Sequence, residues 1–395
     1  MLYRLHGTIQ PYAWGGYDYI PQLLRREPGE KPAAELWFGD HPQAPATIDA
    51  DGRLLPLDAW IAENPARALS AHSRRRFGDR LPYLLKILDV RLPLSIQLHP
   101  DKAQAEAGYA REEAAGIARD AATRNYPDDN HKPESMIALG DFWLLHGFAP
   151  PDIIARRLDA RPALAPIAAL IRQHGLHEAY ARIMQAPRAT LAAWLAPLFA
   201  APAPEDVSDN PDYWLHYATR AMHIDSARPD PGLLSFYLFN IVHMKTGEGI
   251  FQRARLPHAY LRGQNIELMA ASNNVLRAGL TPKHIDIGEL LRIVDANPVN
   301  PAILPPPAPG NHAPYAYPAP VDDYTLTTIR LPDGANLPLA NPEATILLNL
   351  AGRLRVTGAG NSLELHGGEA AYLTPGSRVH LDAQEDGYTV IASNR

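Results

Sequence analysis

Residues 93–102 read PLSIQLHPDK, and in this stretch Leu94, Ile96 and Leu98 alternate with Ser95, Gln97 and His99. A period of two is that of a strand with one apolar and one polar face. Polar faces that meet only water usually carry Lys, Glu and Thr. Ser, Gln and His are instead compact groups that offer lone pairs. The strand therefore predicts a β-rich fold in which one face looks onto a site.

Composition narrows what that site serves. With 46% hydrophobic and 20% charged residues in 395, the chain has the balance of a globular protein large enough for two or three domains. A formal charge of -6 argues against nucleic acid as a partner, because phosphate backbones are met by clustered Lys and Arg. The N-terminal sequence MLYRLHGTIQPYAWGG has no apolar signal core, and no later run reaches membrane-spanning length, so a cytoplasmic location is expected. Cysteine is absent, which excludes disulfides, thiol nucleophiles and cysteine metal ligands, so a metal would take nitrogen and oxygen donors. Thirty-nine prolines favour short strands and turns over long helices.

The pattern along the chain fits a mainly β protein with an inserted helical domain. Short strand signals fill residues 1–149, interrupted by an Ala-rich helical stretch at 101–125 that Asp101 is placed to cap. Residues 150–231 carry apolar residues at three- and four-residue steps and predict an all-helical domain. Strand signals return at 232–300, completing a discontinuous domain with 1–149. Residues 301–320 are a Pro-rich extended connector, and 321–395 form a C-terminal β domain. A weak repeat links the two β regions: Gly-Glu, an apolar strand, a Pro turn and then His, with His258 following Gly247 and His380 following Gly368. Such a pattern resembles half of a cupin jelly-roll motif.

Two further motifs join Gln97 and His99. In NHKPES, Pro133 biases Lys132 towards an extended backbone, which sets Lys132 and Glu134 on one face and His131 on the other. In PHAY, Pro257 fixes the turn before His258. Two imidazoles, a carboxylate and an amide oxygen suit a borderline divalent cation, zinc above all. Each residue alone has an ordinary structural explanation, as a solvated face, a salt-bridge partner or a turn residue. The set is what points to a metal.

Together with these, QPYAWG, AELWFGDHP, GEGIFQRARLPHAYLRG and NIELMAASNNVLRAGLTPK occur in an order that resembles the successive signatures of the type I mannose-6-phosphate isomerases, spanning nearly all of the first 290 residues. The resemblance implies a zinc-bearing cupin-like catalytic domain, a helical domain and a second cupin-like domain. It implies zinc held by Gln97, His99, Glu134 and His258, and a catalytic Arg277. The implied reaction interconverts mannose 6-phosphate and fructose 6-phosphate through a cis-enediol(ate), feeding mannose or GDP-mannose metabolism. Lys132 is the leading base, since it shares a face with Glu134 and a dication beside it favours the neutral amine, with His131 the alternative. Lys86, Ser95 and Lys283 are candidates for the phosphate, and Trp14 and Glu35 for the pocket wall. One departure stands out: Asn273 replaces an Asp of the family pattern, removing a negative charge near Arg277. The C-terminal domain has no His-x-His partner for His380, so no metal is expected there.

The alternatives from other classes are a non-catalytic sugar-phosphate-binding cupin, an isomerase of a related phosphosugar, and an iron oxygenase, the last disfavoured because Gln97 stands where such sites carry His. A monomer is expected, with a weak homodimer as the alternative, since no coiled-coil heptads call for a partner.

Overall fold

A computed structural model describes residues 1–205, 207, 209–358 and 360–395. Strands dominate, as the proline content requires, and among the described residues they form sheets of ten, eight and four strands. The spine of the ten-stranded sheet is the 13-residue strand His258–Ala270. It pairs with Phe142–Phe148 through its first half and with Tyr83–Val90 and Glu134–Ala138 through its second. The change of partners falls at a register shift between Tyr260 and Arg262, beside Gly263 at φ +120°. A Cβ at Gly263 would lie 2.5 Å from the Asp141 carbonyl oxygen, so only glycine lets the strand bend there.

At this bend the strands bury an apolar cluster of Leu88, Val90, Met136, Phe142, Leu144 and Tyr260, against which Trp14 and Leu94 pack. The outer face of the same strands meets the helices Pro151–Asp159, Ala165–Met184, Arg188–Ala200 and Pro211–Ala221, where Leu145, Phe148, Tyr180, Leu195 and Trp214 share one buried cluster. The eight-stranded sheet is built from the C-terminal strands together with the first strand of the chain: Leu2–His6 pairs with Ala370–Leu373 and with Thr47–Ala50. Tyr83, Ile87 and Ile266 from one sheet and Ile346, Tyr372 and Val390 from the other form a single core. The two sheets are thus welded by apolar burial. Among the described residues no helix is long and apolar enough to cross a membrane.

Three local expectations change. The polar strand predicted over 94–99 is regular only at Gln97–Leu98, and Leu94 packs against the cluster of Leu88, Val90 and Met136, not with Ile96 and Leu98. The helix predicted over 101–125 spans Lys102–Ala114; Asp101 and Gln104 form its reciprocal capping box, and it ends before Gly116 at φ +69°. The Pro-rich segment is not merely laid on the surface: Leu304 exchanges backbone hydrogen bonds with Gly249, and Tyr315–Tyr317 joins the eight-stranded sheet.

One short contact decides the register of the site. Gln97 is paired with His258 on one side and Arg277 on the other, so three of the candidate site residues stand in a row across adjacent strands. The row is locked where Ala278 N–H donates to the Ile96 carbonyl and Ile96 N–H donates to that of Gly279. Gly279 is at φ +125°, and a Cβ there would lie 2.5 Å from the Gly232 Cα. Gly279→Ala therefore combines backbone strain with overpacking and is expected to cost about 2–4 kcal/mol, read by urea unfolding. Unchanged stability would show that this crossing is looser than described.

Candidate functional site

At the centre lies Glu134, 3% exposed at the start of a strand. Its Oε1 is 3.3 Å from His99 Nε2 and its Oε2 is 3.2 Å from His258 Nε2. The other nitrogen of each ring is already committed: His99 Nδ1 donates to the Asn274 carbonyl at 2.7 Å and His258 Nδ1 to the Leu256 carbonyl at 2.9 Å. Those bonds fix both imidazoles as tautomers whose Nε2 carries a lone pair. Burial, then the nearby Lys132 ammonium, pushes His99 down to about 4, which keeps that ring neutral near pH 7.

Two imidazole lone pairs thus face a carboxylate that has only lone pairs to offer, and His99 Nε2 is buried without a hydrogen-bond donor. A divalent cation between them resolves this. The three ligand atoms lie within 4.8 Å of one another, the separation that a single ion bridges. Gln97 lines the same cavity, and its amide donates to Ser95 Oγ at 3.4 Å, which leaves its carbonyl oxygen for the ion. The donor set fits zinc.

Lys132 Nζ is 3.0 Å from Glu134 Oε1. Although burial opposes the charge, the Lys132 ammonium holds the Glu134 carboxyl well below the usual carboxylate range. His131 points the other way, 3.0 Å from Asp323. The extended backbone expected before Pro133 places these side chains as the alternation requires.

Deeper in the cavity is a second charged cluster that the motifs did not announce. Lys86 Nζ is 2.9 Å from Glu267 Oε2 and 3.6 Å from Glu35 Oε2, and Trp37 Nε1 donates to Glu35. Burial disfavours the ammonium, yet the two carboxylates outweigh it and raise the Lys86 pKa. Burial also pushes Glu35 up, against the pull of Lys86. Tyr260 donates to Glu267 at 2.8 Å and accepts from Gln252 at 2.9 Å. Tyr260 could have been found by the alternation that paired Gln97 with His99, since it lies two residues after His258. Glu267 faces Lys86 only through strand register, which the sequence does not display.

The outer part of the site is a cavity of 750 Å³ lined by Trp37, His41, Lys132, Asn273, Arg277 and Lys283 among others. Arg277 and the Lys283 ammonium have no hydrogen-bonding or ionic partner among the described residues, and partial burial lowers the Arg277 pKa. Ser95 lines the inner cavity, whereas Trp14 lines neither and stacks on Tyr12, which does reach the mouth.

Known proteins share this architecture. The family described as "Phosphomannose isomerase type I, catalytic domain" matches residues 2–151. The mannose-6-phosphate isomerase of Shigella flexneri is 36% identical over 378 residues, covering 94% of each chain. A variant of the phosphomannose isomerase of Salmonella typhimurium superposes with a TM-score of 0.88 at 33% identity, over 100% of this chain and 99% of that one. The mannose 6-phosphate isomerase of the same organism, bound to zinc and fructose 6-phosphate, gives 0.84 at 32% identity over the same shares.

Glu134→Gln removes the only charged donor of the metal set, so zinc affinity should fall by more than about 100-fold, the upper range for losing an outer-sphere partner. Competition against a chromophoric chelator measures it. Affinity within a few-fold of wild type would place the metal elsewhere.

Proposed function

The chain belongs to the type I phosphomannose isomerase family, and from that premise we propose that it interconverts mannose 6-phosphate and fructose 6-phosphate using one zinc ion. Gln97, His99, Glu134 and His258 would hold the ion. The observation that carries this reading is the pair of fixed imidazole lone pairs converging on buried Glu134 beside an unpartnered Arg277. The ten-stranded sheet, bent around an apolar interior, supports a cupin-like jelly roll as the catalytic unit, with the helical segment and the C-terminal sheets as separate units.

When bound, zinc supplies a Lewis acid that polarises the sugar oxygens at C1 and C2. The remaining work falls to the chain. Isomerisation removes the proton at C2 and returns one at C1, so a single group on one side of the sugar can serve both steps. Lys132 takes that role as the neutral amine that a dication beside it would favour: it lies within the cavity, next to Glu134. Such a positioned acid-base group contributes about 10²- to 10⁴-fold. Arg277 stabilises the enediolate oxygen, its guanidinium partly desolvated and without an ionic partner among the described residues. Lys283, at the mouth, receives the phosphate, with Ser95 offering a hydroxyl further in. Lys86 is engaged by Glu267 and Glu35, so it orders the cavity floor in place of binding phosphate. Glu35 forms part of that floor. A phosphorylated sugar does not cross membranes unaided, which supports the cytoplasm as the place of the reaction.

A coupled assay for fructose 6-phosphate formation from mannose 6-phosphate tests the reading. Turnover should vanish on chelation and return with zinc. Arg277→Ala should lower kcat by about 10²- to 10³-fold, as loss of one oxyanion donor does elsewhere. Folded protein without metal-dependent turnover would sink the proposal.

A further inference from the structure

Asn273 stands exposed on the rim of the outer cavity with Lys132, Arg277 and Lys283. Its backbone is anchored: Asn273 N–H donates to Asp128 Oδ2 at 2.7 Å, and the Ser272 hydroxyl donates to the other oxygen of that carboxylate at 2.8 Å. Its side-chain Oδ1 lies 2.9 Å from Nε2 of the buried His41. The orientation of this pair follows from a third group. Nδ1 of His41 is 3.3 Å from the backbone nitrogen of Gln43, which can only donate. Nδ1 must then carry the lone pair and Nε2 the hydrogen, so the atom of Asn273 facing His41 must be its oxygen. A doubly protonated ring is excluded by the same contact. Burial, and then Lys86 and Lys132, oppose a positive His41 ring, which the Asn273 contact and Asp128 favour; the net direction is down, towards the neutral form.

The amide NH₂ of Asn273 therefore has no partner among the described residues and is left to the cavity. The structure assigns Asn273 as a specificity-determining residue that donates a hydrogen bond from its NH₂ to a hydroxyl oxygen of the sugar phosphate, with His41 as the positioning residue that holds the amide in that sense. This rests on the isomerase reading above. The cations of the cavity suit phosphate and enediolate charge, whereas an uncharged donor suits a hydroxyl. An amide exchanges no proton at this pH, so the contact acts equally on bound substrate and transition state. It belongs in KM and not in kcat.

The coupled assay run in both directions on wild type, Asn273→Ala, Asn273→Asp, His41→Ala and His41→Gln tests this. Asn273→Ala should raise KM about 3- to 10-fold with kcat changed less than about 2-fold, the scale of one lost hydrogen bond. Asn273→Asp, which exchanges a donor for an acceptor, should raise KM further. His41→Ala should raise KM, whereas His41→Gln, which retains a donor towards Oδ1, should restore it. Because Asn273 is exposed, its variants read the contact without depending on core packing. Wild-type turnover combined with an unchanged KM in Asn273→Ala, a lowered KM in Asn273→Asp, or equal KM for the two His41 variants overturns this inference alone. Absence of wild-type turnover overturns the isomerase reading and this one with it.

Discussion

A carboxylate buried to 3% exposure between two imidazoles is costly, and the arrangement around Glu134 is organised by that cost. One cation, Lys132, is supplied by the chain. The second must come from solution, because the backbone carbonyls of Asn274 and Leu256 take the Nδ1 contacts and leave Nε2 of each ring, turned inwards, as the nitrogen open to a metal. Those carbonyls belong to loops whose position depends on Asp128, on the pairing of Gln97 with Arg277, and on Arg255 N–H, which donates to the His99 carbonyl at 2.7 Å. The metal site is thus specified by hydrogen bonds one layer out, and most of them end on backbone atoms.

The second cluster obeys the same rule with the signs rearranged. Lys86 stands between Glu267 and Glu35, one cation for two carboxylates, and the shortfall is met by donors: Trp37 to Glu35, and Tyr260 to Glu267. The Lys86 ammonium also sits 5.2 Å from the Trp37 ring centre, over its face. Buried charge here is compensated within the fold and needs no ligand. Around Glu134 the compensation is incomplete, and this difference separates a structural ion cluster from a binding site.

How much of this is legible in the sequence depends on whether the relevant spacing is local. Gln97 with His99, and Lys132 with Glu134, are two residues apart, so alternation alone places each pair on a shared face. His258 follows from the Pro turn that precedes it, and Arg277 only from resemblance. Glu267 and His41 are hidden because their partners, Lys86 and Asn273, are brought near by strand register and loop closure over 181 and 232 positions. The same limit applies to the fold. Helical and β regions are legible from periodicity, but nothing local announces that Leu2–His6 pairs with Ala370–Leu373. Gly263 marks the bend of the central strand without revealing which partners change there.

Strand alternation also explains why the C-terminal sheet is close to the site without lining it. On the segment 131–136, Lys132 and Glu134 face the cavity, so His131 and Ser135 face the opposite way. His131 meets Asp323 at 3.0 Å, and the Ser135 hydroxyl meets the Tyr324 hydroxyl at 3.0 Å, with both Ser135 and Tyr324 buried. The strand that carries the proposed base and the central metal ligand is therefore held from behind by two consecutive residues just past the Pro-rich segment. Tyr83, on the strand across His258–Ala270 from it, reaches the same region, its hydroxyl shared between the carbonyls of Ala344 and Ala392. The C-terminal region thus meets these strands at His131, Ser135 and Tyr83, from the side turned away from the cavity, while Leu2–His6 joins the two ends of the chain by pairing with Ala370–Leu373.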